Sequence, residues 1–211
     1  MTAPSDEVFE LPMFPLGSVL FPSMILPLRI FEPRYQTLVR RCLDGDRRFG
    51  VAMIDRGSEV GGGDVRSMVG CVSTILQDEE QSDGQWFLVC VGTGRLRIRE
   101  WLDDDPYPLA RVSMWTDDSP TALLLDQVRA LESQFRTVLA LASELDEWSV
   151  PLTIELSEDP ILASYQMSAV SPFGSFDRQR LLAADSAATR VELLGELLAD
   201  ADLMMRARLG G

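Results

Sequence analysis

Residues 11–35 read LPMFPLGSVLFPSMILPLRIFEPRY, and five prolines divide this run into short apolar segments. Each proline fixes φ and removes a backbone donor, so it marks a strand edge, a turn or the start of a helix. The segments predict a strand over Phe9–Leu16, a loop with an apolar tip over Gly17–Pro22 and a second strand over Ile25–Phe31. Pro33 then falls in the first turn of a helix, where its missing N–H costs nothing.

This arrangement closely resembles the opening of the Lon protease N-terminal (substrate-binding) domain family. The matching residues are Leu11-Pro12 to Pro15-Leu16, Phe21-Pro22 and, as the most specific signature, PLRIFEPRY at 27–35. The stretch VGTGRLRI at 91–98 is also similar to the family. The resemblance implies an α+β fold, with an N-terminal PUA-like β pseudo-barrel that contains one early helix, followed by a C-terminal helical bundle.

The periodicity of the first half agrees with that expectation. Apolar residues recur at helical spacing from Tyr35 to Leu43, and Gly45 supplies the stop. A glycine-rich loop is predicted over Gly57–Asp64, and the acidic run Gln77–Gln85 is predicted to be a solvated hairpin tip. The remaining segments predict strands, which cover Phe49–Ile54, Met68–Leu76, Trp86–Val91, 95–99 and Leu109–Trp115.

The second half shows helical spacing with its own start signals. Ser119-Pro120 predicts an N-cap for a long helix that ends near Leu145, and Asp159-Pro160 and Asp185-Ser186 predict two further starts. A short helix is predicted over Ser175–Leu182, and a loop or extended piece over Trp148–Glu158. We therefore expect two domains, the β pseudo-barrel over 1–117 and the helical bundle over 118–211.

The sequence contains no histidine, lysine or asparagine. Without histidine and lysine there is no Ser–His, Cys–His or Ser–Lys pair, no His-ligated metal and no phosphate-binding Gly-Lys loop. We therefore expect no enzyme, no catalytic residue, no metal and no cofactor. A full Lon protease would need ATPase and Ser–Lys protease modules, so the resemblance implies a stand-alone recognition domain.

The composition also suggests a compartment. Cys42, Cys71 and Cys90 are widely spaced and form no metal-binding pattern, so we expect buried, reduced thiols. The acidic N-terminus does not resemble a secretory signal, and no long apolar run predicts a membrane span. We expect a cytoplasmic, bacterial protein that does not act at a membrane.

The net charge of −14 disfavours nucleic acid as a partner, because the acidic field repels phosphates at long range. Two local patterns nevertheless keep alternatives open. Arg95, Arg97 and Arg99 form a basic stripe on one strand face, which would suit an RNA-binding PUA-like module or pairing with acidic neighbours. The run 103–105 consists of three aspartates, which would suit a solvated turn, or else a metal site or an acid pair. A hydrolase with an unrecognised carboxylate site is a further alternative, for which no base–nucleophile pair can be named.

Two clusters are candidates for binding. The tip Gly17–Met24 carries apolar side chains that would form an exposed patch for extended polypeptide, or else pack in the core. Charged and aromatic residues meet at the junction of the second strand and the first helix, where Arg29 and Glu32 are expected to brace the structure. The candidate polypeptide-binding residues are Val19, Leu20, Phe21, Met24, Arg34 and Tyr35.

These observations together predict a non-enzymatic polypeptide-recognition module linked to proteolysis or protein quality control. Its expected partners are unfolded or extended polypeptides or a protein partner, with an ATPase or protease as a further candidate. The groove between the two halves is the expected binding surface, with apolar contact and backbone pairing as the mechanism. A polar substitution at Leu20 or Phe21 is expected to weaken binding without unfolding the protein.

Overall fold

The computed structural model describes residues 7–56, 65–145 and 154–210, so the predicted loop at 57–64 and residues 148–153 of the predicted loop at 148–158 lie outside the described part. The described residues form six strands and five helices, an α+β fold as predicted. They divide into two compact units, Met1–Thr116 and Asp117–Gly211. The division falls one residue before the predicted boundary, because Asp117 bonds to side chains of the second unit.

The first unit contains all six strands and one helix. The strands are β1 (Phe9–Leu16), β2 (Ile25–Ile30), β3 (Arg48–Arg56), β4 (Val65–Glu80), β5 (Trp86–Trp101) and β6 (Leu109–Met114), and α1 is Pro33–Asp44. They form one mixed sheet in the order β2-β5-β4-β3-β1-β6, in which only β1 and β3 run parallel. β5 pairs with β2 along 86–91 and also with β6 along 96–101, so the sheet closes on itself through β6.

The closure is incomplete at one place. β1 pairs with β6 only along 9–12, and along 13–16 it pairs with β3 alone among the described strands. β2 follows the first half of β5 and has no second strand neighbour in the described sheet. The sheet is therefore open between β2 and the end of β1, and this opening positions the candidate site.

Two apolar clusters fill the first unit. One contains Leu11, Met13, Leu96, Ile98 and other side chains of the closed part of the sheet. The other lies between the sheet and α1, whose buried residues are Tyr35, Leu38, Val39 and Cys42. These four positions are members of the predicted helical repeat, and Pro33 occupies the first turn as predicted.

The second unit is helical, with α2 (Ala122–Glu144), α3 (Pro160–Val170), α4 (Ser175–Leu182) and α5 (Ala187–Leu209). The two long helices, α2 and α5, make the main helix-to-helix contact. Asp159 and Ser186 cap α3 and α5 through their side chains, as predicted. None of the helices in the described ranges is long and apolar enough to span a membrane.

A buried arginine fastens the start of the second unit. The Nη1 of Arg190 donates to Asp117 at 3.1 Å, its Nε donates to Ser164 Oγ at 2.9 Å, and its guanidinium lies 3.8 Å from the centre of the Tyr165 ring. The Tyr165 hydroxyl donates to the same aspartate. The Arg190 and Asp117 side chains are almost fully buried, with 0% and 6% of their surfaces exposed. The network ties residue 117 to α3 and α5.

Several predicted boundaries were wrong. β4 begins at Val65 and not at Met68, and β5 runs without a break over Trp86–Trp101, where the sequence predicted separate strands over 86–91 and 95–99. The N-cap of α2 is Thr121, whose side chain accepts from the Leu124 amide, and not Ser119. The β4–β5 hairpin extends to Glu80 and resumes at Trp86, so its loop is shorter than the predicted Gln77–Gln85. The last residues of β4 carry polar side chains on both faces, because the hairpin continues past the core. The alternation of apolar and polar residues disappears where neither face of a strand is buried.

Candidate functional site

The tip Gly17–Met24 packs onto β5. Leu20 and Phe21 are only 5% and 1% exposed, whereas Val19 and Met24 are half-buried. The Ser23 amide donates to Gly92 O at 2.7 Å, and the Gly92 amide donates to Met24 O at 2.9 Å. A Cβ added at Gly92 would lie 2.2 Å from the Phe21 carbonyl oxygen, so glycine permits this close approach.

Because Leu20 and Phe21 are buried, substitutions at these two residues no longer test ligand binding separately from folding. A charged side chain at Phe21 would lie in the core and would destabilise the unit, so the expected binding loss without unfolding does not apply there. Half-buried Val19 and Met24 remain candidates for contact with a ligand. The burial of Leu20 was the alternative outcome that the sequence left open.

β2 is the terminal strand, and its backbone alternates between β5 and the open edge. The bond from Gly92 N to Met24 O sets the phase, because residues 24, 26, 28 and 30 then face β5 in hydrogen-bonded pairs. Residues 25, 27, 29 and 31 therefore direct their backbone groups to the open edge. Pro27 lies at one of these outward positions, where strands tolerate proline.

A cleft of about 150 Å³ lies beside this open edge. One wall comes from the end of β1 and the other from the end of β2 and the start of α1. We call it the edge cleft, and its lining residues are Phe14, Pro15, Leu16, Leu28, Arg29, Ile30, Phe31, Glu32 and Tyr35. Phe31 is 56% exposed at its rim. The cleft combines apolar walls with an open strand edge, which is the arrangement that strand addition uses.

The predicted cluster at the junction of β2 and α1, which consists of Arg29, Glu32, Arg34 and Tyr35, lies beside the edge cleft. Glu32 is the N-cap residue of α1 and accepts from Arg34 Nε at 3.0 Å, and the Arg34 guanidinium lies 4.5 Å from the centre of the Tyr35 ring. Arg29 bonds to Gln85 Oε1 at 2.9 Å instead, and lies 5.6 Å from the Phe87 ring. The structure thus brings four predicted residues together, with Arg34 as the partner of the glutamate.

A second, wider depression of about 490 Å³ lies on the outer face of β2, β5 and β4. Register pairs Arg29 with Phe87 and Phe87 with Glu79, and places Pro27 beside Val89. Ile25 and Phe87 are exposed at this surface. Side chains of a strand added beyond β2 would alternate between this outer face and the edge cleft, because successive side chains point to opposite faces.

The arginine stripe is engaged within its own unit. Arg95 is buried, and the Arg95 and Arg97 guanidiniums lie 4.1 Å and 3.7 Å from the centre of the Trp115 ring. Arg99 Nε donates to Ser113 Oγ at 3.0 Å. These contacts are with β6 and the residue that follows it. They position the arginines as packing groups, with only Arg99 exposed.

The aspartate run also has a structural partner. Both oxygens of Asp104 accept from Arg66, at 2.9 Å and 2.6 Å, in the two-bond geometry that arginine forms with carboxylates. Within the described ranges, no group of three potential ligands among Cys, Asp and Glu residues is placed to hold a metal ion.

The three thiols are buried and unbridged. Burial raises the pKa of Cys42 and Cys71 to about 12 and that of Cys90 to about 11. The nucleophilic form of cysteine is the thiolate, so these groups are unreactive at neutral pH.

Sequence reasoning missed Phe14, Leu16 and Phe31 as members of the site. The sequence analysis placed Phe14 and Leu16 only on a strand, and the structure places them at the end of β1 that pairs with β3 and not with β6. The signal that could have indicated them is the pair of prolines at 15 and 27, because both lie on strands that border the opening.

Comparison with known proteins identifies the family. Residues 10–200 match the family model of the ATP-dependent protease La (LON) substrate-binding domain. The Lon protease of Cytophaga hutchinsonii is 29% identical over 92% of this chain, and Lon protease 2 of Herpetosiphon aurantiacus is 26% identical over 90%. The alignments cover 24% and 23% of those proteins, so the chain spans about a quarter of their length.

A solved structure of a Lon N-terminal domain protein from Xanthomonas campestris is similar to most of the chain. It superposes with a TM-score of 0.64 at 27% identity and covers 90% of this chain and 98% of that one. The structural match and the family model each cover most of the chain. The chain therefore belongs to the family of the LON substrate-binding domain.

Proposed function

We propose that this protein is a non-enzymatic polypeptide-recognition module that selects substrates or partners for proteolysis or protein quality control. Its family is that of a substrate-binding domain, and the relatives with which it aligns include Lon proteases. Protein substrates are therefore the class of ligand that the family supports best. A Lon-type protease or another ATPase is the proposed partner.

The observation that carries this proposal is the open edge of β2 beside the edge cleft. An extended segment would lie along β2, with its backbone bonded to the outward amides and carbonyls of that strand. Alternate side chains of the segment would enter the cleft. Backbone pairing is indifferent to sequence, so we expect weak and broad affinity with a preference for apolar residues at the cleft.

The proposed place of action is the cytoplasm. Reduced, buried thiols are typical of proteins from reducing compartments, and all three cysteines are free. The candidate residues Val19, Met24, Arg34 and Tyr35 remain proposals for ligand contact. Arg29 and Glu32 are proposed to brace the cleft, with Leu20 and Phe21 supporting it from the core.

A pair of matched variants tests the site. Phe31 and Phe176 are both exposed, at 56% and 67%, but only Phe31 borders the edge cleft. The probe is a dye-labelled peptide of alternating valine and threonine with arginine pairs at its ends, read by fluorescence anisotropy. Phe31→Asp should raise the Kd by about tenfold, roughly 1.4 kcal/mol, because it places a charge at an apolar contact.

The Phe176→Asp variant is the control for the added charge. Phe176→Asp changes the charge equally in the second unit and should leave the Kd within about twofold. Equal weakening by both variants would indicate a charge effect and would contradict the assignment to the edge cleft. An unchanged Kd for a folded Phe31→Asp protein would do the same.

RNA binding by a PUA-like module is the competing function. Two of the three arginines that would support it, Arg95 and Arg97, stack on Trp115, and the chain carries a net charge of −14. Retention of the protein on immobilised RNA that collapses with added salt would favour RNA over polypeptide as its ligand.

A further inference from the structure

The outward positions of β2 are not equivalent for strand pairing. Residues 25, 27 and 29 direct backbone groups to the open edge, but Pro27 offers only a carbonyl there. Its ring also occupies the space in which a donated N–H would meet an incoming acceptor. A chain that paired along the whole of β2 would lose its central bond and would meet this ring.

The two ends of β2 differ in their surroundings. Arg29 and Phe31 lie at the edge cleft, whereas Ile25 does not line it. The Phe31 carbonyl is already occupied, because Gln36 Nε2 donates to it at 3.2 Å. The outward groups beside the cleft are thus the Arg29 amide and carbonyl and the Phe31 amide.

We infer that Pro27 limits backbone pairing to residues 29–31, at the end of β2 and directly after it, and so holds a bound segment at the edge cleft. This inference rests on the proposed function and adds the register and length of the contact. A short contact of this kind releases its ligand easily and accepts many sequences. It also protects the open edge from pairing with long strands of other chains, a known role of proline at sheet edges.

Pro27 is therefore a specificity-determining residue that acts through the geometry of β2. Replacing it by alanine adds an outward N–H and removes the obstructing ring. One additional hydrogen bond corresponds to roughly a threefold to tenfold lower Kd for an extended peptide. The contact should also lengthen towards Ile25.

The experiment compares the wild-type protein with Pro27→Ala, using the peptide of alternating valine and threonine with arginine ends. Amide hydrogen exchange of the protein is followed by NMR with and without the peptide. In the wild type, the peptide should slow exchange at Arg29 and Phe31 and leave Ile25 unchanged. In Pro27→Ala, protection should extend to position 27 and Ile25, and the Kd should fall by the stated factor.

Pro33→Ala is the control for the loss of a proline, because it alters the first turn of α1 and leaves the edge of β2 intact. It should keep the wild-type protection pattern. Urea unfolding verifies that each variant is folded, and Pro27→Val replaces Pro27→Ala if the latter is not. Protection of Ile25 in the wild type, or an unchanged pattern and Kd in the folded Pro27 variant, would overturn the inference and leave the proposed function standing. Absence of protection at Arg29 in every protein would overturn both.

Discussion

At the scale of single residues, the contact between Gly92 and the Phe21 carbonyl fixes the tip to β5. An added methyl would meet a backbone oxygen at 2.2 Å, and a backbone atom cannot move aside as a side chain does. We expect Gly92→Ala to lower the free energy of unfolding by about 1–3 kcal/mol. Urea unfolding measures the change, and the matched control is Gly174→Ala, whose methyl would meet nothing within 4 Å. Equal stabilities of the two variants would contradict this account of the tip.

The buried thiols make stability depend on alkaline pH. The pKa of Cys71 rises from 9.0 to about 12 on folding, so the folded state keeps a proton that the unfolded state loses. The stabilisation is therefore complete below pH 9 and is lost as the pH rises towards 12. Urea unfolding across this range should show a falling free energy of unfolding. The fall should be shallower in Cys71→Ala, and an identical pH dependence would contradict the assignment.

Whether the apolar residues of the tip are buried or exposed could not be predicted from the sequence. Hydrophobicity alone does not distinguish an apolar ligand surface from core, and Leu20 and Phe21 are buried because the chain folds back onto Gly92. The signature at 27–35 placed Arg29, Glu32, Arg34 and Tyr35 in one cluster, which the structure also shows. The partner of Arg29, which is Gln85, depends on how β2 is placed beside β5, and a single sequence does not specify that.

At the scale of secondary structure, capping and periodicity predicted most elements. β1, β2, α1 and α4 begin at the predicted residues, because prolines, glycines and apolar spacing mark them locally. The lengths of β4 and β5 were underestimated, because β4 continues past its alternating pattern and the glycines at 92 and 94 interrupt the pattern of β5. The sheet is open because β2 pairs with the first half of β5 and β6 pairs with the second half. This pairing joins residues that are far apart in the sequence, so local patterns do not predict it.

The arginine network of the second unit is the element-scale contact with the largest expected effect. Arg190→Ala removes one partner of a buried ion pair and takes the positive charge away from the Asp117 carboxylate, which should cost about 3–5 kcal/mol. Arg180→Ala breaks the exposed pair with Asp177 and should cost about 0–1 kcal/mol. Chemical unfolding of the two variants measures the contrast. Similar losses would mean that the buried pair does not fasten α3 and α5.

At the scale of the whole molecule, the net charge of −14 sets which partners approach. An acidic surface repels phosphate backbones and attracts basic polypeptides at low ionic strength. We expect partners captured from a native lysate to be insensitive to nuclease and to include an ATPase, a protease subunit or many unfolded proteins. A nuclease-sensitive set of ribosomal or RNA-processing proteins, identified by mass spectrometry, would instead favour RNA binding.

The central claim is that an extended polypeptide adds to the open edge of β2, and amide hydrogen exchange of the wild-type protein tests it most directly. On addition of the peptide, exchange should slow at Arg29 and Phe31, whose amides face the open edge. The amides of Leu26, Leu28 and Ile30 already face β5 and should change little. Peptide binding that protects other amides and leaves Arg29 and Phe31 unaffected would contradict the claim.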